Sequence, residues 1–196
     1  MPHTKSADGW LSVTEVLNLS IPKPFLNYWF GKWGTAKCEQ IKRESQELGT
    51  RFHSLVEDYL NGISLSEGAN AERMVENLIN QFLKPYEVKP LKLEQQYKCE
   101  KLKLQGSCDA EIDTNKWKNV TADWKTSNSL DKISVPLQLS MYDYPRKGDG
   151  LGVAVRIDKE SDKVDVHWYE NLKAYNPVWR ACIKVARFNK WGLNDK

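Results

Sequence analysis

Apolar side chains follow two different periods along this chain, and the change between them divides it. Through residues 1–90 they recur three and four apart, the spacing of one helix face. Ser12-Val13-Thr14-Glu15 has capping-box spacing and opens a short helix through Val16, Leu17 and Leu19, which Pro22 and Pro24 break. Phe25, Tyr28, Trp29, Phe30 and Trp33 come next, at near-helical spacing up to Gly34. That stripe reads as core packing, against a competing reading as a platform on which nucleobases stack. A longer helix is predicted from about Thr35 to Leu60, its apolar face carried by Leu48, Phe52, Leu55, Val56 and Tyr59. Gly49 inside it costs helix stability and implies close approach of another backbone. Asn61-Gly62 stops this helix, and Ser64-Leu65-Ser66-Glu67 caps the next. The stripe Ala71, Met74, Val75, Leu78, Ile79, Phe82 and Leu83 that follows reads as core.

Beyond Pro85 and Pro90 the period drops to two. Leu91 to Cys99 alternates, with Leu93, Gln95 and Tyr97 on one face and Glu94 and Gln96 on the other. Lys101-Leu102-Lys103 bends into a strand through Gly106 and Asp113; a polar turn, Thr114-Asn115-Lys116, leads to a second strand from Lys118 to Lys125. A helix starting at Pro136, strands at Gly152–Ile157 and Lys163–Tyr169, and a helix opened by Asn176-Pro177 complete the chain. The last helix is expected to bury Val178, Trp179, Cys182, Ile183 and Ala186, and it carries Arg180, Lys184, Arg187 and Lys190 on a basic face. The order predicts a mixed α/β fold: a small central sheet of about five strands flanked by helices, with an N-terminal helical region. A single domain over 1–196 is expected, 1–90 being mainly helical and 91–196 holding the sheet and the C-terminal helix.

Composition narrows the class without choosing a function. The 196 residues are 40% hydrophobic and 28% charged, enough for one core. No apolar run approaches the ~18 residues of a membrane span, so no membrane association is expected. The start, Met1 to Ser6, lacks signal or transit character, and the expected location is the cytoplasm, of a bacterial or phage-infected cell. A net charge of +3 is too small to argue nucleic-acid binding by itself. The four cysteines, Cys38, Cys99, Cys108 and Cys182, stand singly, which argues against zinc and disulfides and for four small buried hydrophobes.

The candidate chemistry lies in the hairpin. Side chains two apart on a strand share a face, so Asp123 and Lys125 point together while Trp124 enters the opposite layer. Asp109 on the neighbouring strand is within reach of both. Two carboxylates and an ammonium at one spot suit Mg²⁺ or Mn²⁺ and an attacked phosphate. On the long helix, His53 and Glu57 are four apart and share a face, as Gln138 and Tyr142 do on the later one.

Taken in order, Gly49-x-x-x-His53, Gly106-x-x-Asp109, Asp123-x-Lys125-Thr126-Ser127 and Gln138-x-x-x-Tyr142 resemble the PD-(D/E)XK nuclease superfamily, and the histidine and Gln-x-x-x-Tyr helix resemble its RecB-type branch. The opening Leu11 to Leu17 looks like that of mitochondrial genome-maintenance exonucleases and their phage relatives. The resemblance implies a restriction-endonuclease-like core. It implies that Asp109, Asp123 and the Trp124 backbone carbonyl hold the catalytic metal, with His53 completing the shell and Glu94 or Glu57 as a further candidate ligand. Lys125 positions or activates the attacking water, or stabilises the pentavalent phosphate. Gln138, Tyr142, Thr126 and Ser127 would meet the nucleic acid. By its charge pattern, the basic face with Arg180, Lys184 and Arg187 reads either as a solvated helix face or as a phosphate-contacting surface. Cys38 and Cys182 alone cannot supply four ligands, so no iron–sulfur cluster is expected.

The expected activity is metal-dependent phosphodiester hydrolysis, as an exonuclease on single-stranded DNA in replication, recombination or repair, any helicase or recombination partner being a separate chain. The alternatives are a structure-selective endonuclease on the same scaffold, an inactive nucleic-acid-binding module, and a surface ion-pair cluster with no chemistry.

Overall fold

A computed structural model describes residues 9–65, 68, 70–161 and 163–192. Strand β1 (Leu11–Ser12) leads into α1 (Val13–Ser20), whose capping box is complete: Glu15 N–H donates to Ser12 Oγ and Ser12 N–H to the Glu15 carboxylate. Helix α2 (Pro24–Trp33) starts on Pro24 and ends at Gly34, and α3 (Thr35–Leu60) follows at once. Helix α4 (Asn70–Leu78) runs into a π-helical turn at Ile79–Leu83. The predicted capping residues Ser66 and Glu67 lie outside the described residues. The sheet comprises β2 (Lys89–Cys99), β3 (Leu104–Asp113), β4 (Val120–Lys125), β5 (Gly152–Ile157) and β6 (Val164–Tyr169) besides β1; α5 (Ser134–Asp143) joins β4 to β5 and α6 (Asn176–Trp191) ends the chain.

Strand β2 runs antiparallel along the whole of one edge of β3. On the other edge, β1 pairs in parallel at Leu104 and Gln105, and β4 pairs antiparallel from Ala110 to Ile112. Strand β4 then pairs in parallel with β5, the crossover being α5, and β5 antiparallel with β6. The two strands with the candidate acids are thus the centre of a mixed sheet of six strands. This is the expected α/β architecture, with the two-residue β1 as the additional strand.

Three apolar cores hold the layers together. Phe52 and Val56 of α3, together with α4 and the π turn, cover Ala110, Ile112, Val120, Ala122, Trp124, Val153, Val155 and Ile157. A second core unites α1, α5, α6 and the start of β3, and a third sets Val135 and Leu139 of α5 on Ala154. The stripe from Ala71 to Leu83 is buried throughout, as its period demands.

Other expectations are corrected. No residue of α2 is buried: Phe25, Tyr28 and Trp33 are 63%, 74% and 53% exposed, so the aromatic stripe is not core. Gly49 meets no backbone; a Cβ there would sit 3.5 Å from the Thr126 hydroxyl, an ordinary contact. Strand β4 starts at Val120 because Asn119 is left-handed (φ 54°) and its N–H is taken by Asp113. Helix α5 starts two residues before Pro136, where Asp131 accepts from the N–H groups of Ile133 and Ser134. Asn176 is no side-chain cap; its Oδ1 accepts from Ser140 and the Trp179 indole instead. Val178 is 50% exposed, and Cys99 and Cys182 are only half-buried.

Candidate active site

The register builds the site. Ala110 pairs with Ala122, so one step along, where β3 and β4 part, Asp109 faces Asp123 across the ladder, with Cβ atoms ~5 Å apart in such a position. Asp109 Oδ2 accepts the Trp124 N–H at 2.7 Å. Trp124 itself enters the α3–α4 layer and packs against Phe82, as alternation requires. Asp123 and Lys125 face α5: Lys125 Nζ donates to Asp123 Oδ1 at 2.9 Å and to Gln138 Oε1 at 3.1 Å, and the Gln138 amide donates to the Tyr142 hydroxyl at 3.3 Å. Asp123 Oδ2 is buried and lies 2.7 Å from the same ammonium, so both carboxylate oxygens are ion-paired with Lys125.

From the opposite layer, His53 Nδ1 comes 3.6 Å from Asp109 Oδ1 and 3.8 Å from Glu94 Oε1. Glu94 lies opposite Asp109 in the β2–β3 register and has an unusual backbone conformation. It stands between the paired residues Leu93 and Gln95 with φ 44°, a left-handed conformation that costs a non-glycine residue ~1–2 kcal/mol. Its other oxygen accepts from Ser107 at 3.3 Å. His53, Glu94 and Asp109 offer ligand atoms within 4.8 Å of one another. Glu57, the other candidate, is not part of that group.

Electrostatics agree with a site short of positive charge. Burial, and then the Asp123 carboxylate, push Asp109 well above the ordinary carboxylate range, and His53, Lys125 and the Trp124 N–H do not cancel the rise. Burial acts to lower His53, but Glu94, Asp109 and Asp123 together raise it. Lys125 is likewise lowered by burial and raised further by Asp123 and Asp109, so it keeps its proton. The imidazole and two carboxylates of that group stand beside the Asp123–Lys125 ion pair; Asp123 lies outside the group but near enough to raise both Asp109 and His53. This donor set fits a hard divalent cation.

Gly106 also acquires a reason. A Cβ there would lie 2.7 Å from the Tyr142 ring and 3.2 Å from Val13, so only glycine lets the tyrosine lie on β3. Thr126 faces Gly49, and the loop after it is tied to β5, since Arg156 donates to the carbonyls of Ser127 and Asn128. Arg180 stacks on Tyr144 and Trp179, each 4.8 Å away, and Arg187 donates to the Leu102 carbonyl at 2.8 Å. Lys184 is exposed on α6, and none of these three basic residues lines the site.

A cleft of about 610 Å³ opens beside His53 and Lys125 and runs under α2, where Trp29 and Phe30 line it, to Lys42 and Lys159. Sequence reasoning missed two contributors to this region. Lys159, in the β5–β6 turn, bonds Ser45 across the cleft (3.1 Å), a contact no local pattern signals. Arg146, placed only in a loop, is buried next to the site and bonds Glu111, Asp143, Thr121 and Asn119.

No protein-family model matches this chain, and no curated protein matches it in sequence. Its fold resembles an alkaline exonuclease (LHK-Exo) from Laribacter hongkongensis, with 9% identity over 91% of this chain and 86% of that one and a TM-score of 0.52. The same enzyme in complex with dAMP aligns at a TM-score of 0.51 with 10% identity, covering 93% and 91% of the two chains. The crystal structure of SSO0001 aligns at 0.50 with 16% identity over 98% of this chain and 80% of its own. At such identities the likeness concerns the fold, which is the restriction-endonuclease-like α/β class.

Proposed function

We propose that this protein is a metal-dependent nuclease of the RecB-type branch, an exonuclease that hydrolyses phosphodiester bonds of single-stranded DNA. The observation that carries the reading is the convergence of His53, Glu94 and Asp109, with ligand atoms within 4.8 Å of one another, next to the buried Asp123–Lys125 ion pair. Asp109, Asp123, His53, Glu94 and the Trp124 carbonyl would hold a Mg²⁺ or Mn²⁺ ion, which would supply charge neutralisation at the phosphate and a lowered pKa for water. The chain's own groups do the rest. The Trp124 N–H holds the Asp109 carboxylate in place, and Gln138 holds the Lys125 ammonium beside Asp123. Lys125 keeps its proton at Nζ and faces the charge that grows on the attacked phosphate. Thr126 and Ser127 border the DNA strand, and Tyr142, buried in the core, acts by holding Gln138. The exonuclease neighbours support the reading at the level of the fold, and the dAMP complex belongs to that relative.

Cleavage of end-labelled single- and double-stranded DNA with each divalent metal, beside Asp123→Ala, is the test. Metal-dependent mononucleotide release from single strands that vanishes in the variant supports the assignment. Cleavage of circular single strands would make the enzyme an endonuclease, and binding without cleavage under any metal would make it a binding module.

A further inference from the structure

Residues 24–47 contribute no side chain to any of the three cores. Their one buried residue, Cys38, lies against the Trp29 carbonyl, inside the α2–α3 hairpin itself. A hairpin so placed adds nothing to the packing of the sheet, yet it is rich in aromatic residues. Exposed aromatic surface of this density marks a binding face. Trp29 and Phe30 meet edge to face, with ring centroids 5.4 Å apart, and both line the cleft that ends at His53 and Lys125. Lys42, 3.8 Å from Glu39, and Lys159, held against Ser45, also line it. The lining of the cleft therefore combines aromatic, cationic and hydroxyl-bearing side chains with His53 and Lys125 of the candidate site.

We propose that this cleft receives an unpaired nucleotide of the DNA strand next to the scissile phosphate, its base stacked on Trp29 and Phe30 and its phosphate near Lys42 and Lys159. The ligand class rests on the nuclease reading above. An aromatic face accepts any base and is indifferent to sequence. In a duplex each base is stacked and paired with its neighbours, so only an unpaired one can turn a face to Trp29. The α2–α3 hairpin thus selects unpaired strands. A protein segment seated here would cover His53 and Lys125, and charge complementarity favours a polyanion over it.

The test uses the full chain with Asp123→Asn, magnesium, and oligonucleotides carrying 2-aminopurine at successive positions. One position is expected to lose fluorescence on binding relative to the free strand. Adding Trp29→Ala or Phe30→Ala is expected to remove the quench and weaken single-strand binding ~10-fold or more, while Trp29→Phe keeps most of it. Unchanged melting by circular dichroism is expected in all three, since the hairpin lies outside the cores. No quench at any position, or quench and affinity unaffected by both alanine variants, overturns the pocket. Equal quenching by an oligoribonucleotide overturns its restriction to DNA, and equal quenching within a duplex overturns the selection of unpaired strands. The two readings fail separately: wild-type protein that leaves DNA whole with every divalent cation overturns the nuclease, whereas cleavage without any quench overturns only the pocket.

Discussion

Two charged clusters sit one step apart on the same strands, and they are built to opposite ends. Glu111 is two residues from Asp109 on β3, and Thr121 two from Asp123 on β4. Around the former pair the charges are matched. The Arg146 side chain, 2% exposed, bonds Glu111, Asp143, Thr121 and both oxygens of Asn119, and Lys92 adds a second cation at 3.3 Å from Glu111. Around Asp109 and Asp123 the acids outnumber the permanent cations among the described residues: Lys125 pairs with Asp123, while Asp109 and Glu94 meet only the imidazole of His53 as an ionisable partner. A buried ion network with all partners present is structural, because breaking it strands a charge. A cluster in which acids outnumber cations among the same residue types is a candidate functional site.

The sharpest way to break that contrast is Asp123→Ala. Cleavage is expected to fall by ~10⁴-fold or more, about 5.5 kcal/mol of transition-state stabilisation, with little change in melting. A variant that still cuts at the wild-type rate would make the open cluster as structural as its neighbour. Arg146→Met should do the reverse, lowering stability by about 3–5 kcal/mol in urea unfolding while folded molecules still cut. Divalent cations come next. At a hundred times the dissociation constant, Mg²⁺ or Mn²⁺ should stabilise the protein by about 2.7 kcal/mol, and Asp123→Ala should not respond.

The pH dependence of that effect has a definite sign. Asp109 is raised in the fold, so the metal-free protein loses stability as pH climbs from ~3.9 toward the raised value. His53 is raised too, and its contribution is also lost as pH rises through its folded value. Cation binding needs both groups deprotonated, so the gain in melting temperature should be larger at pH 8 than at pH 6, read by calorimetry. The smallest effect is Glu94→Gly. Relief of the left-handed φ should stabilise the metal-free chain by about 1 kcal/mol, and the lost carboxylate should weaken cation affinity. A variant that gains stability and keeps its affinity would remove Glu94 from the site.

Much of this was legible in the chain because strand alternation is rigid. Once Asp109, Asp123 and Lys125 were on adjacent strands, their shared face followed, as did Trp124 on the other. The helix bearing His53 and the Gln138–Tyr142 pair were readable from a spacing of four. The α2 aromatics show where pattern stops: periodicity tells which side chains share a face, not whether anything covers it. On the basic face of α6, Arg187 reaches the Leu102 carbonyl and Lys190 pairs with Glu15 at 2.7 Å, contacts between distant segments that spacing along the helix does not signal. Spacing does not separate Glu94 from Glu57; the fold does, by setting Glu94 3.8 Å from His53 Nδ1. Arg146 carries no local signal, because its partners come from β3, β4, α5 and the turn before β4.

The Gly106 hydrogen has a reach far beyond its size. Tyr142 lies over it, the tyrosine hydroxyl accepts from Gln138, and Gln138 accepts from the Lys125 ammonium. A methyl group at position 106 would lift the ring and pass the displacement, link by link, to the one cation beside the acids. The setting of the chemical centre is thus governed from a residue with no functional group, and a search confined to polar side chains would pass it by.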